Sequence, residues 1–156
     1  HIVFSYHGLP NRQVEKCHPG IKVDNCNCHN CFSEHGKFCY RATCYETSRL
    51  IAEKLNLNSS DYSVGFQSRL SNNWLAPFTD AVLTKKLREG KRNILVLAPS
   101  FVTDCLETIL EIGLEYREEF QKNGGEKLQL VQGLNTEDNW VGTLSEIIET
   151  AIKNKG

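Results

Sequence analysis

The chain of 156 residues contains no methionine and only four prolines, and it carries no excess of either charge. Eighteen lysines and arginines stand against 19 aspartates and glutamates, a formal net charge of −1. The basic residues are scattered, so there is no electrostatic footprint for a nucleic-acid backbone or an anionic lipid surface. Nucleic acid is excluded as a partner, and any membrane contact is at most peripheral. No apolar run approaches the roughly twenty residues that span a bilayer, and no basic-then-apolar leader precedes the first strand. The expected compartment is the cytoplasm. His1-Ile2-Val3-Phe4-Ser5 is already a β-run with no lead-in, which predicts a fragment cut from a longer chain. One core of single-domain size accounts for the whole length, 1–156.

Cysteine is abundant. Six of the seven fall between Cys17 and Cys44, and Cys26, Cys28, Cys31 and Cys39 share a short polar stretch. Four thiols this close in sequence cannot all reach disulfide partners, whereas one soft cation or a 2Fe–2S cluster accepts four at once. A reducing cytoplasm favours metal over disulfides, and seven cysteines leave one unpaired in any all-disulfide scheme. Cys44 and Cys105 lie on apolar helix faces and read as small core residues. Cys17 fits either group, and His18, His29 and His35 could complete a site if the metal were zinc.

The periodicity predicts an alternation of strands and helices. A buried strand over 2–6 ends in a His7-Gly8 turn, and the turn-rich stretch 11–33 has little regular structure. A helix over 40–55 turns Cys44, Ser48, Ile51, Ala52 and Leu55 inward. A strand over 62–68 leads into an irregular loop through Trp74 and Pro77, then a helix over 79–90. The apolar run 93–98 has the length of a central parallel strand. A helix over 104–120 follows, with Leu106, Ile109, Leu110, Gly113 and Leu114 as its apolar positions, then a strand over 127–131 and a helix over 139–152. The expectation is an α/β fold, a three-layer sandwich around a four-stranded parallel sheet with right-handed crossovers, covered on both faces. Ligands of such sheets bind beyond the carboxyl ends of the strands, here His7, 68–74, 99–104 and 132–135.

Three features there could carry chemistry. His7 can accept a proton or bind a metal, or merely hydrogen-bond a neighbouring loop; Gly8 and Pro10 fix where its imidazole points. Glu107, Glu111 and Glu115 form one row, placed by α-helical spacing opposite Leu106, Leu110 and Leu114. Such rows are usually solvated, and Asp104 with Glu107 could be a capping box. Yet like charges at this spacing repel, and a bound cation would relieve the repulsion. Trp74 is either loop packing or a wall for a flat apolar ligand.

Three long motifs in order resemble the carboxyl-terminal half of the ferrochelatase family: Phe4-Ser5-Tyr6-His7-Gly8-Leu9-Pro10; Phe66-Gln67-Ser68-Arg69-Leu70 with Trp74-Leu75-Ala76-Pro77-Phe78-Thr79-Asp80; and Pro99-Ser100-Phe101-Val102-Thr103-Asp104-Cys105-Leu106-Glu107-Thr108. The stretch between Ser68 and Trp74 is one residue shorter than the usual pattern. The resemblance implies a chelatase-like (flavodoxin-like) half and insertion of Fe²⁺ into a porphyrin, most simply protoporphyrin IX, with release of two protons. It implies that His7 and Glu107 are the catalytic pair and contact the substrate iron. Glu111 and Glu115 would line a path for metal or protons along a helix widened into π geometry, and Trp74, Ser5 and Pro77 would bind substrate. The segment 11–39 resembles the insertion by which some bacterial members hold a 2Fe–2S cluster, with Cys26, Cys28, Cys31 and Cys39 as ligands and zinc as a substitute. The family is about twice as long, so an amino-terminal half of the same chain is an implied partner, without which this fragment should fold but not catalyse. A bacterial cytoplasm, with at most peripheral contact with the inner membrane, follows from the same likeness. The competing readings are a metal-binding scaffold or redox-sensing module without catalysis, and a cobalt chelatase acting on another tetrapyrrole.

Overall fold

The computed structural model describes residues 1–27, 30, 32 and 36–154. Four strands, β1 (Ile2–His7), β2 (Tyr62–Gln67), β3 (Asn93–Leu97) and β4 (Lys127–Leu130), form one all-parallel sheet in the order β2-β1-β3-β4. The connections are helical: α2 (Tyr40–Lys54) joins β1 to β2, α3 (Thr79–Arg88) joins β2 to β3, and a π helix (Glu107–Tyr116) running into α4 (Arg117–Lys122) joins β3 to β4. A short α1 (Asn11–Val14) and three 3₁₀ turns are the regular structure in the described part of the cysteine-rich segment. Helix α5 (Asp138–Lys153) closes the chain. This is the α/β architecture expected from the alternating runs.

Strand alternation splits the core in two. Phe4, Tyr6, Val64 and Phe66 point to one face and meet Ala42 and Cys44 of α2, while Val3, Ile94, Val96 and Leu128 point to the other and meet Val82, Leu83, Ile112 and Phe120. Each fully buried side chain of this size contributes roughly 1.5–3 kcal/mol. Burial pushes the Cys44 thiol up to about 12, so it behaves as the apolar core residue expected of it.

Three expectations need correction. The helix placed at 104–120 begins later, at Glu107; its first ten residues are π, as the family resemblance implies, and it is the core face that differs. Its buried residues are Thr108 and Ile112, with Phe120 of α4 in the same four-residue step, whereas Leu106, Ile109, Leu110 and Leu114 are 72%, 53%, 45% and 39% exposed. Spacing at 3.6 residues per turn assigned the wrong face, because a π turn closes from i to i+5 and stacks residues four apart more nearly in line. The acidic row therefore runs between a buried row and an exposed apolar row, not opposite the leucines. Asp104 is no helix cap either: its carboxylate accepts from the Gly133 N–H at 2.9 Å and the Asn135 side-chain amide at 2.8 Å, tying the loop after β3 to the loop after β4. Finally, the sheet face beside α2 is only partly covered. A cavity of about 310 Å³ opens there between Thr47 and Ile51 of α2 and Leu97, Phe101, Val131 and Leu134, and no residue of α5 is buried.

Candidate active site

The carboxyl edge of the sheet brings the three motifs together. His7 ends β1, and Tyr40 at the start of α2 donates to its carbonyl at 2.9 Å. Its Nδ1 lies 2.6 Å from the Gly8 carbonyl. A carbonyl can only accept, so Nδ1 carries the proton and Nε2 is left as the basic nitrogen of the neutral ring.

Two aromatic rings flank that imidazole, Trp74 at 6.3 Å and Phe101 at 6.1 Å between centroids. Backbone pairing fixes Trp74: Asn11 N donates to Asn73 O and Leu75 N to Leu9 O, both at 2.9 Å. Gly8 permits the approach, since a Cβ there would meet the Gln67 carbonyl at 3.0 Å and the indole at 3.3 Å. The structure thus puts Trp74 beside His7 rather than in remote loop packing. Phe101 is the wall that the sequence did not single out, although it lies inside the third motif.

Glu107 opens the π helix. Its carboxylate is held below the usual range mainly by its own backbone N–H, then by the Cys105 thiol, with desolvation opposing and only a smaller electrostatic contribution from His7. A carboxylate so lowered is an acceptor at neutral pH, and the strand register pairs His7 with Gln67, whose amide bonds the Glu107 carbonyl at 2.7 Å, so both residues stand at the same strand ends. Thr108 shapes the turn beneath: its hydroxyl accepts from Cys105 N and donates to Cys105 O, both at 3.0 Å.

Glu111, one step along the row, is already engaged. It accepts from Ser68 N at 2.7 Å, Ser68 Oγ at 2.5 Å, Tyr116 OH at 2.6 Å and Gln67 Nε2 at 3.4 Å. Burial and the adjacent carboxylate push the Tyr116 phenol up, keeping it a donor. Ser68 sits at φ +58°, a conformation that disfavours non-glycine residues, and Glu111 holds both its N–H and its hydroxyl there. In this structure Glu111 is therefore a clasp between β2 and the π helix. Glu115 is exposed.

The expected substrate contacts divide. Pro77 is exposed on the ligand edge, and its carbonyl accepts from Phe66 N at 2.9 Å. Ser5 is fully buried and bonds to Gln67 and Thr79, so it supports the site from beneath instead of presenting a hydroxyl to a ligand. Arg69 stacks on Phe78 at 3.8 Å and pairs with Asp80 at 3.0 Å, tying the loop after β2 to α3. Gln67 and Tyr116 are the site residues that residue-by-residue reading of the sequence missed, while Ser68 and Phe101 fell within its ligand-edge loops without a role of their own.

Of the proposed cluster ligands, Cys39 is fully buried and lines, with Cys26, a small cavity bounded by Val14, Ile21 and Val23. The Cys17 thiol donates to the Phe38 carbonyl at 3.1 Å, and burial first, then the neighbouring Cys39, pushes it up. Cys28 and Cys31 lie outside the described residues. Among the described residues no three Cys, His, Asp or Glu side chains are grouped to hold a metal ion.

A family model described as Ferrochelatase matches residues 1–152. The ferrochelatase of Coxiella burnetii (strain Dugway 5J108-111) is 42% identical over 157 aligned residues, covering 98% of this chain and 44% of its own length. That of Bdellovibrio bacteriovorus is 42% identical, with 96% and 44% covered, and that of Legionella pneumophila (strain Corby) 39%, with 97% and 46% covered. The chain spans less than half the length of the curated relatives it matches. Since the match covers the histidine turn, the Trp74 loop and the π helix, the chain belongs to the ferrochelatase family.

Proposed function

We propose that the chain is the carboxyl-terminal half of an enzyme that inserts Fe²⁺ into a porphyrin, most simply protoporphyrin IX, in the cytoplasm. The reading is supported by His7, whose Nδ1 faces the Gly8 carbonyl and leaves Nε2 as the acceptor, at the ligand edge between Trp74 and Phe101, together with the Glu107 carboxyl held below the usual range at the start of the π helix. Replacing two pyrrole N–H protons by one divalent metal needs two acceptors, and His7 Nε2 and the Glu107 carboxylate supply one each. The two rings wall the site against water, which strengthens every charge interaction within it. Trp74 and Pro77 offer the flat apolar contacts that a macrocycle uses, and Ser5 acts from below. Glu115 extends the acidic row outward. Metal passing Glu111 would have to displace at least one of its donors, so entry by that path requires the β2 clasp to open. The remainder of the porphyrin pocket is assigned to a preceding half of the same protein, in keeping with the coverage of the relatives.

The segment 11–39 is proposed as a metal-binding insertion in which Cys26, Cys28, Cys31 and Cys39 hold a 2Fe–2S cluster, or zinc in its place. Described residues of this stretch bury little more than Val14, Val23, Gly36 and Cys39, and a metal staple offsets the entropy of ordering such a loop.

The test is metal insertion by the protein that carries both halves, followed as zinc uptake into a porphyrin. His7→Ala and Glu107→Gln should each lower kcat by about 100-fold or more, the range of positioned proton transfer. Wild-type turnover in both variants would remove the proposed mechanism. Replacing each cysteine by serine and recording colour, iron and sulfide identifies the cluster ligands. Loss of colour with Cys17→Ser but not with Cys26→Ser would put Cys17 in the set.

A further inference from the structure

Gln67 is the last residue of β2 and only 1% exposed, yet it carries one of the most fully employed side chains of the site. Its orientation is unambiguous. The Glu107 carbonyl can only accept, so the atom 2.7 Å from it is the amide nitrogen, and the amide oxygen faces the Ser5 hydroxyl at 2.7 Å. Ser5 has one proton and gives it to Gln67, so the Thr79 hydroxyl, 2.8 Å from Ser5 Oγ, must donate into Ser5. The result is a one-way chain from Thr79 through Ser5 and Gln67 to the Glu107 carbonyl. Ser5 and Thr79 are fully buried. Gly65 makes room for it: a Cβ there would stand 2.9 Å from the Thr79 hydroxyl and 3.0 Å from the Thr79 Cα.

The chain ends on the carbonyl of the first π-helix residue, Glu107, whose own N–H the carboxylate leans on. Anchoring that carbonyl fixes the backbone of the residue that carries the carboxylate, and so where the carboxylate sits. From the other side, the same amide nitrogen lies 3.4 Å from the Glu111 carboxylate and 3.5 Å from Ser68 Oγ. A leucine there would take from the buried Ser5 hydroxyl and the Glu107 carbonyl the bonds that Gln67 makes to them, and buried polar groups recover their desolvation only when bonded.

We propose that Gln67 is a positioning residue for the reaction: its buried amide holds the Glu107 peptide, and through it aims the Glu107 carboxylate at the region that His7 shares. The inference rests on the reading of Glu107 as a proton acceptor. Gln67 does not touch substrate; it acts only through Glu107.

The test compares Gln67→Leu, Ser5→Ala and Glu107→Gln in the protein that carries both halves, with turnover normalised to porphyrin-binding sites titrated by fluorescence. Gln67→Leu should lower kcat at least about tenfold, a loss within reach of a small misplacement of a catalytic group, while the porphyrin KM stays within about twofold. Freed from the amide, the first turn loosens its own N–H contact to the carboxylate, so the acid limb of the kcat profile moves to higher pH. Ser5→Ala removes only the partner of the amide oxygen and should move both readouts in the same direction by less. If Gln67→Leu proves unable to fold, Ser5→Ala decides by the same two readouts. Wild-type kcat and an unmoved acid limb per titrated site, in a background where Glu107→Gln is inactive, would reduce Gln67 to a packing residue and overturn the proposal. Full activity of Glu107→Gln would instead remove the reading of Glu107, and the proposal with it.

Discussion

The π helix and α5 are both apolar on one side, and the structure treats them in opposite ways. The π helix sinks Thr108 and Ile112 into the sheet, with Phe120 following on α4, and turns its acidic row towards the site. Helix α5 has a regular stripe, Val141, Leu144, Ile148 and Ile152, at 49%, 38%, 59% and 68% exposure. An amphipathic pattern states that a helix has something to bury, not where the partner surface is. For the π helix the partner is its own sheet. For α5 the partner is proposed to be the preceding half, since the relatives are more than twice as long as the stretch they share with this chain.

The largest effect is expected within the buried row. Ile112 is fully buried among Val3, Ile94 and Val96, so Ile112→Ala should cost about 2–5 kcal/mol in urea unfolding. A cost under about 1 kcal/mol would mean that the π helix rests loosely on the sheet and that the two helices do not differ as described.

A smaller effect should depend on context. Ile148→Ala on α5 should change the stability of this chain by less than about 0.5 kcal/mol, as for an exposed site. In the protein that carries both halves the same substitution should cost about 1–3 kcal/mol, once the stripe is covered. Equal small effects in both contexts would leave α5 facing solvent and break the comparison.

How much of this was legible in the sequence follows from which physics each residue obeys. The strands were readable because continuous apolar runs such as 93–98 have one interpretation in a parallel sheet. His7 and Trp74 were readable because strand ends in such sheets are ligand edges. The core face of the π helix was not, because Leu106, Leu110 and Leu114 are ordinary α-helical core residues by spacing, and only the wider turn exchanges their row for Thr108 and Ile112. Neither was the clasp. Gln67 and Ser68 meet Glu107 and Glu111 across 40 and 43 residues, and nothing local announces it. Ser68 adopts a left-handed conformation without the glycine that usually marks one. The suspected capping box at Asp104 failed for the same reason, since its true partners lie about thirty residues away.

That loop clasp supplies the smallest effect, at the junction of the two helices being compared. Asp104 binds Gly133 N–H and the Asn135 amide, Asn135 returns a bond to Asp104 N at 2.9 Å, and the Asn135 N–H reaches the Val102 carbonyl. The clasp therefore fixes where the π helix starts and the direction in which the chain leaves for α5. The Asn135 side chain first and the Gly133 N–H second hold the Asp104 carboxyl below its ordinary value of 3.8, against a smaller opposing effect of desolvation. A depressed carboxyl stabilises the fold above its unfolded value and loses that contribution as pH falls through its folded value. The clasp should thus be fully formed at neutral pH and weaken below about pH 4. Asp104→Asn should cost about 1 kcal/mol at pH 7, in line with one charge-assisted hydrogen bond at a partly exposed site, and should flatten the acid side of the stability profile. Unfolding midpoints between pH 7 and pH 3 measure this: parallel curves for the two proteins would show that the clasp does not titrate, and that the start of the π helix is held by Thr108 and Gln67 alone.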